Sequence, residues 1–389
     1  MEFQSKRVSQ IPPYMFAEIK QMKEKLVQSG VHVIDLGMGD PDLPTHAHVV
    51  EKLKEELQDH HNFKYPNFRG CQEYREAIAH FYKKQFDVVL DPETEILALI
   101  GCKEGVAHLI PSLIDPGDYV IIPDPSYPVY RMATYLANGN EYRLPLVEEH
   151  GYKPDFAEIP QAILAQSKLI FLNYPNNPTT AAVDVSFFQE ACDFARSHGI
   201  AIANDSAYNM VTFDGYQAPS ILQADGAKDI AVELGSLSKT FNMTGFRIGY
   251  IVGNKDIIQA LSIYKSNTDT GQFTPIQKAA AHALKSGYEC IDQYNAIYYK
   301  RIKEVSEALA SIGIEVKETP KSTYFVWAKV PAGYTSKAFA TAVLEKTGVI
   351  ITPGSAFGPG GEGYFRLAVS VDETQLREAI ERMKQHLSL

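Results

Sequence analysis

Between Gly235 and Gly249 the chain reads GSLSKTFNMTGFRIG, which sets Lys239 among hydroxyl residues with Arg247 eight positions on. A lysine amine attacks an aldehyde only in its unprotonated form, so a site that forms a Schiff base must lower the lysine pKa by burial or neighbouring positive charge. Ser236, Ser238, Thr240 and Arg247 are the kinds of group that gather around a phosphate. Together they suit an aldehyde that also carries a phosphate, a description met by pyridoxal 5'-phosphate. Taken singly, Lys239 is one of 37 basic residues, and an exposed lysine is commonplace. Its flanks alter that reading: DIAVELG (229 to 235) and IGYIVG (248 to 253) both read as buried strands, so the motif joins two strand ends, where catalytic groups are often carried.

Other strand ends offer complementary chemistry. IAIAND closes on Asp205, with Tyr208 three residues later. A buried aspartate beside a pyridinium nitrogen keeps the ring protonated, and Tyr208 is placed to hydrogen-bond a ring hydroxyl. Asp205 alone has a second, less favoured reading as a helix N-cap. In NYPNNPT, Asn177 precedes Pro178, a turn signal that doubles as a candidate ligand to the ring hydroxyl or the substrate. LIGCKEG turns from strand to helix through Gly101, presenting free N–H groups and bringing Cys102 and Lys103 beside a prospective phosphate. Tyr127, between two prolines, suits stacking on a planar ring or ordinary core packing. Arg366 interrupts the apolar run YFRLAVS and needs a carboxylate, from a substrate or from an internal ion pair.

These residues require a scaffold that brings strand ends together. From about Ile96 to Gly253 short apolar runs such as YVIIPD, KLIFLNYP and IAIANDSAY alternate with helix-length segments, which predicts an α/β fold with a mostly parallel sheet. In such sheets ligands bind beyond the carboxyl ends of the strands. Residues 274 to 309 read as one long connecting helix. Beyond it, strands at IEVKE (314 to 318), YFVWAKV (324 to 330), 349 to 352 and YFRLAVS, with helices at 336 to 346 and from Asp372, predict a smaller α+β domain. The expected division is an N-terminal segment (1 to 44) packing with the small domain, a large cofactor-binding domain (45 to 285) and the small C-terminal domain (286 to 389).

Composition narrows the class. A chain of 389 residues with 45% hydrophobic content can bury a large core. A net charge of -10 argues against a nucleic-acid or anionic-membrane surface. No apolar run reaches membrane-spanning length, and four scattered cysteines fit a reducing compartment, so a cytoplasmic protein is expected. GPGGEG (358 to 363) matches a dinucleotide-binding pattern literally but precedes a strand, and His46, His48, His60 and His61 lack metal-ligand spacing; neither is read as a site.

In order along the chain, LGMGDPD, NYPNNPT, NDSAY, SLSKTFNMTGFRIGY and YFRLAVS resemble the motif set of class I/II aminotransferases of the aspartate aminotransferase fold, fold type I, over essentially the whole length. PPYMFAEI, GDPDLPT and KSNTDTGQF look most like the LL-diaminopimelate aminotransferase group. The resemblance implies that Lys239 holds pyridoxal phosphate as a Schiff base and shuttles the proton, Asp205 pairs with the ring nitrogen, Tyr208 and Asn177 bind the ring hydroxyl, and Tyr127 stacks on the ring. It implies phosphate ligands in Cys102, Lys103, Ser236, Ser238 and Arg247, with Tyr65 reaching across from the partner of a homodimer. Gly39, Asn177 and Arg366 would bind the substrate carboxylate, with Tyr14 closing over the side chain. The implied reaction is a ping-pong transfer from an L-amino acid to a 2-oxo acid such as 2-oxoglutarate; a carbon–sulfur β-lyase of the same fold is the rival. Two departures, Thr180 and Ser322 where the family usually carries glycine, bear on specificity.

Overall fold

The computed structural model describes residues 3–11, 15–28 and 30–387. After a short strand β1 (Ile34–Asp35), seven strands form the central sheet: β2 (Ile96–Leu99), β3 (Tyr119–Asp124), β4 (Asn140–Pro145), β5 (Ser167–Leu172), β6 (Ala201–Asp205), β7 (Ala231–Ser236) and β8 (Gly249–Gly253). Their order is β2-β8-β7-β6-β5-β3-β4, and only β8 runs against its neighbours. Successive residues point to opposite faces of a strand, so every strand of this sheet except the edge strand β4 feeds two cores. In β5, Ile170 and Leu172 join one apolar cluster while Leu169 and Phe171 join the other; in β7, Val232 and Leu234 lie on the second face. This double burial is why the strands read as nearly continuous apolar runs.

Helices cover both faces. Val185–His198 starts at Asp184, whose carboxylate accepts from Phe187 N, and stops at Gly199 in left-handed conformation (φ 65). The carboxyl ends of β2, β3, β5, β6 and β7 emerge along one edge, and antiparallel β8 starts there, so Arg247 just before it arrives at the same edge.

A second unit contains β9 (Phe325–Lys329), β10 (Val349–Ile350), β11 (Thr352–Pro353) and β12 (Tyr364–Ala368). β12 lies between β11 and β9, antiparallel to both, while β1 pairs in parallel with β10. Ile34 and Leu36 share the core of this unit with Phe339, Phe365 and Leu376.

Two sequence expectations are corrected. The helical stretch from 274 to 309 is two helices, Thr274–Lys285 and Glu289–Ser311. Ser286 takes an extended conformation and its hydroxyl donates back to His282 O at 2.6 Å, and Gly287 follows, so backbone preference overrides the apolar periodicity. IEVKE forms no strand: Ile314 N donates to Leu309 O, folding the segment back onto the preceding helix.

Candidate active site

Gly39, Cys102, Lys103, Tyr127, Asn177, Asp205, Tyr208, Ser236, Ser238, Lys239, Arg247 and Arg366, all expected from sequence, line one cavity of about 360 Å³ at the carboxyl edge of the sheet. Tyr65 lies outside it and is 90% exposed. Tyr14 lies outside the described residues.

Lys239 sits in the single helical turn Leu237–Thr240 at the end of β7, where Ser236 caps the turn by accepting from Ser238 N. Its Nζ donates to Gly39 O at 3.1 Å, and the same carbonyl accepts from Tyr324 OH at 3.1 Å. Gly39 must be glycine for this approach, since a Cβ there would lie 2.5 Å from Phe325. Burial lowers the Lys239 pKa to about 8; Asp40 opposes the shift, and Arg247 and Arg366 reinforce it.

Asp205 ends β6 and is buried. Tyr130 OH donates to its Oδ2 at 2.8 Å, while Oδ1 is buried with no hydrogen bond of ordinary geometry. Burial raises its pKa to about 6, against the Tyr130 hydroxyl and the Ala207 amide, which favour the charged form. Asn173 Nδ2 donates to the Asp205 carbonyl at 2.6 Å and Asn173 Oδ1 accepts from Asn177 N at 2.9 Å, which ties the β5 and β6 ends together. Tyr208 is buried against Tyr324 and Phe325, and that burial pushes its hydroxyl pKa up.

Arg366, on β12 and 3% exposed, spans the two units: Nη1 donates to Asn177 Oδ1 at 2.7 Å and Nη2 to Gly37 O at 2.8 Å. Its guanidinium carbon lies 4.1 Å from the Phe325 ring centroid and 4.8 Å from that of Phe357.

At the opposite end, the helix Cys102–Leu113 begins after Gly101 (φ 84) without a side-chain cap, so its first N–H groups face the cavity edge. A Cβ on Gly101 would stand 2.6 Å from Arg247 Nη2, so the missing side chain lets the guanidinium close on this helix end. Cys102 Sγ donates to Gly235 O at 3.1 Å, and burial holds its thiol well above the usual range.

Pyridoxal phosphate fits this arrangement: an amine of lowered pKa for the aldehyde, an uncapped helix end beside an arginine for the phosphate, and a buried carboxylate oxygen with room for a ring N–H. Sequence reasoning missed Tyr130, Asn173, Met38, Ala207 and Phe325, which also line the cavity. Asn173 stands in the run NYPNNPT and Tyr130 three residues after Tyr127, but nothing in their spacing says which residue turns toward Asp205. His46, set aside as a metal ligand, caps its helix by accepting from His48 N.

The chain matches the family described as aminotransferase class I and II over residues 31–383. It is 45% identical over 384 residues to the LL-diaminopimelate aminotransferase of Moorella thermoacetica, covering 99% of this chain and 98% of that one. It is 45% identical over 380 residues to that of Aquifex aeolicus, covering 98% of each. Among solved structures, substrate-bound BacF from Bacillus subtilis matches with a TM-score of 0.96 at 38% identity, over 100% of this chain and 98% of that one. Both relatives are aminotransferases by name, and the β-lyase expectation draws no support from them. With a family match over almost its whole length and relatives of this identity, the chain belongs to the class I and II aminotransferases, pyridoxal-phosphate-dependent enzymes of fold type I.

Proposed function

We propose that this aminotransferase takes LL-diaminopimelate as amino donor and 2-oxoglutarate as acceptor, with the residues of the cavity in the roles that follow. The observation that carries the donor is the 45% identity, over nearly the full length of both chains, to relatives named for that substrate.

When bound, pyridoxal phosphate supplies an aldehyde that captures the amino group and a ring that takes up the electron pair left on Cα. Lys239 Nζ, unprotonated in a useful fraction near neutral pH because its pKa lies at about 8, acts as nucleophile and then as the base that carries the Cα proton. Asp205, whose Oδ1 has no hydrogen bond of ordinary geometry, would hold the ring nitrogen, with Tyr130 keeping the carboxylate charged through Oδ2. Arg366 and Asn177 hold the α-carboxylate, fixing the Cα–H bond relative to Lys239. Arg247, Ser236, Ser238, Lys103 and the N–H groups at Cys102 would hold the phosphate, Tyr127 would pack against the ring, and Tyr208 with Asn177 would bind its hydroxyl.

A homodimer follows from the same reading. Phe63, Tyr65 and Phe68 are 54%, 90% and 48% exposed within six residues, an apolar cluster that a second copy would cover, bringing Tyr65 to the partner's phosphate. The division at 1–44, 45–285 and 286–389 and a cytoplasmic location belong to this proposal; the shared core of Ile34, Leu36 and the C-terminal unit supports the first.

The donor is tested by a half-reaction screen that follows cofactor absorbance against LL-diaminopimelate, methionine, aspartate and aromatic amino acids. LL-diaminopimelate should react with the highest second-order rate constant. A faster reaction with any other member of the panel would replace the proposed donor.

A further inference from the structure

Arg247 adopts a left-handed backbone (φ 52), a conformation that residues with a Cβ rarely take. That turn directs its side chain to Gly101, so whatever fixes the turn also fixes the guanidinium at the helix end. Arg247 Nη1 donates to Thr244 O at 2.9 Å, a contact within the turn itself. The external support is Gln272, whose Nε2 donates to Phe246 O at 2.7 Å and to Arg247 O at 2.6 Å.

Gln272 is itself held. Its Oε1 accepts from Phe273 N at 2.8 Å and its carbonyl accepts from Gln277 Nε2 at 2.5 Å. The residue just before it in the same loop is Gly271, whose N donates to Asp269 Oδ1 at 3.2 Å. Asp269 Oδ2 meets Lys265 Nζ at 2.8 Å, and Lys265, 1% exposed, also meets Glu104 Oε1 at 2.6 Å. Glu104 lies in the first turn of the helix Cys102–Leu113, and its Oε2 accepts from Ile100 N at 2.8 Å. One run of contacts therefore leads from the start of the helix, through the loop, to the backbone of Arg247.

We propose that Gln272 is a positioning residue for the phosphate end of the site: its amide locks the Arg247 turn, and the buried Lys265 ion pairs hold the loop that bears it in register with the helix Cys102–Leu113. The inference rests on the reading of Arg247 as a phosphate ligand. It assigns Gln272 no contact with cofactor or substrate.

The test compares equilibrium binding of pyridoxal phosphate and of pyridoxal, which lacks the phosphate, to the full chain. Gln272→Ala and the isosteric Gln272→Glu, which replaces the donor amide with acceptor oxygens, should each weaken pyridoxal phosphate about tenfold and pyridoxal less than about twofold, a fold-change typical of one lost charge-directed contact. The Glu variant keeps the side-chain shape if the Ala variant does not fold. Equal weakening of both compounds, as a purely structural role predicts, overturns the proposal, as does unchanged pyridoxal phosphate binding. Arg247→Leu separates the two levels: if it leaves the ratio of the two affinities unchanged, the phosphate role of Arg247 fails and the inference with it; if it lowers the ratio and the Gln272 variants do not, only the inference fails.

Discussion

Arg366 Nη1 donates to Asn177 Oδ1 at 2.7 Å, joining residues 189 positions apart in sequence. The contact links the second unit to the end of β5 and leaves a planar, two-pronged cation beside Asn177 in the cavity that also holds Lys239. Arg366→Ala removes that charge from a buried site. It should cost about 2–5 kcal/mol in kcat/KM for the amino and the oxo substrate alike, as truncation of a buried charge partner does. Steady-state kinetics on both half-reactions check this, and wild-type constants for either substrate would contradict the carboxylate role.

The raised pKa of Asp205 makes a statement about stability. Its ordinary value is 3.8 and its folded value about 6, so between these the folded state binds more protons than the unfolded one and stability falls as pH rises. The loss is complete above pH 6. Asp205→Asn in the cofactor-free protein should therefore be more stable than the parent above pH 6 by roughly 2–3 kcal/mol, and little different below pH 4. Denaturant unfolding at pH 4 and pH 7.5 reads the difference; equal effects at both would show that the carboxylate is not strained by burial. Turnover should fall by orders of magnitude in the same variant.

Lys239 has a folded pKa of about 8. The rate at which the cofactor-free protein captures pyridoxal phosphate should rise with pH through an inflection near 8, as the unprotonated amine accumulates. Stopped-flow absorbance from pH 6.5 to 9.5 measures it, and a flat profile would remove Lys239 as the titrating nucleophile. Borohydride reduction of the holoenzyme should label Lys239.

Gly101→Ala places a Cβ 2.6 Å from Arg247 Nη2 at a φ of 84. The guanidinium is the flexible partner and should swing away, weakening pyridoxal phosphate binding by tenfold or more, while left-handed strain costs about 1–2 kcal/mol of stability. Equilibrium dialysis and thermal unfolding separate the two effects. Unimpaired cofactor binding would show that Arg247 need not lie against the helix end.

Thr180 carries a φ of 63. Thr180→Gly should raise stability by up to about 1 kcal/mol, the relief of left-handed strain exceeding the added freedom of the unfolded chain. A thermal-unfolding midpoint below the parent's would mean that the threonine side chain contributes more than its backbone costs. Ser322 differs: it is buried and its φ is not positive, while its neighbour Thr323 has a φ of 66.

Local residue pattern is enough to define the strands and the groups at their ends. A strand buried on both faces has few ways to be written, and chemistry-bearing residues placed directly after it must emerge at the sheet edge, which is why Lys239, Asp205 and Asn177 were legible as one set. Whatever depended on separate segments meeting was decided by the tertiary structure. Tyr130 turns its hydroxyl to Asp205, Gly39 offers its carbonyl to Lys239, and Gln272 braces Arg247, in each case through a side-chain direction or a close approach that packing selects. The break at Ser286 and the unpaired IEVKE segment belong there too, because apolar periodicity records what can be buried and local hydrogen bonding decides where an element stops.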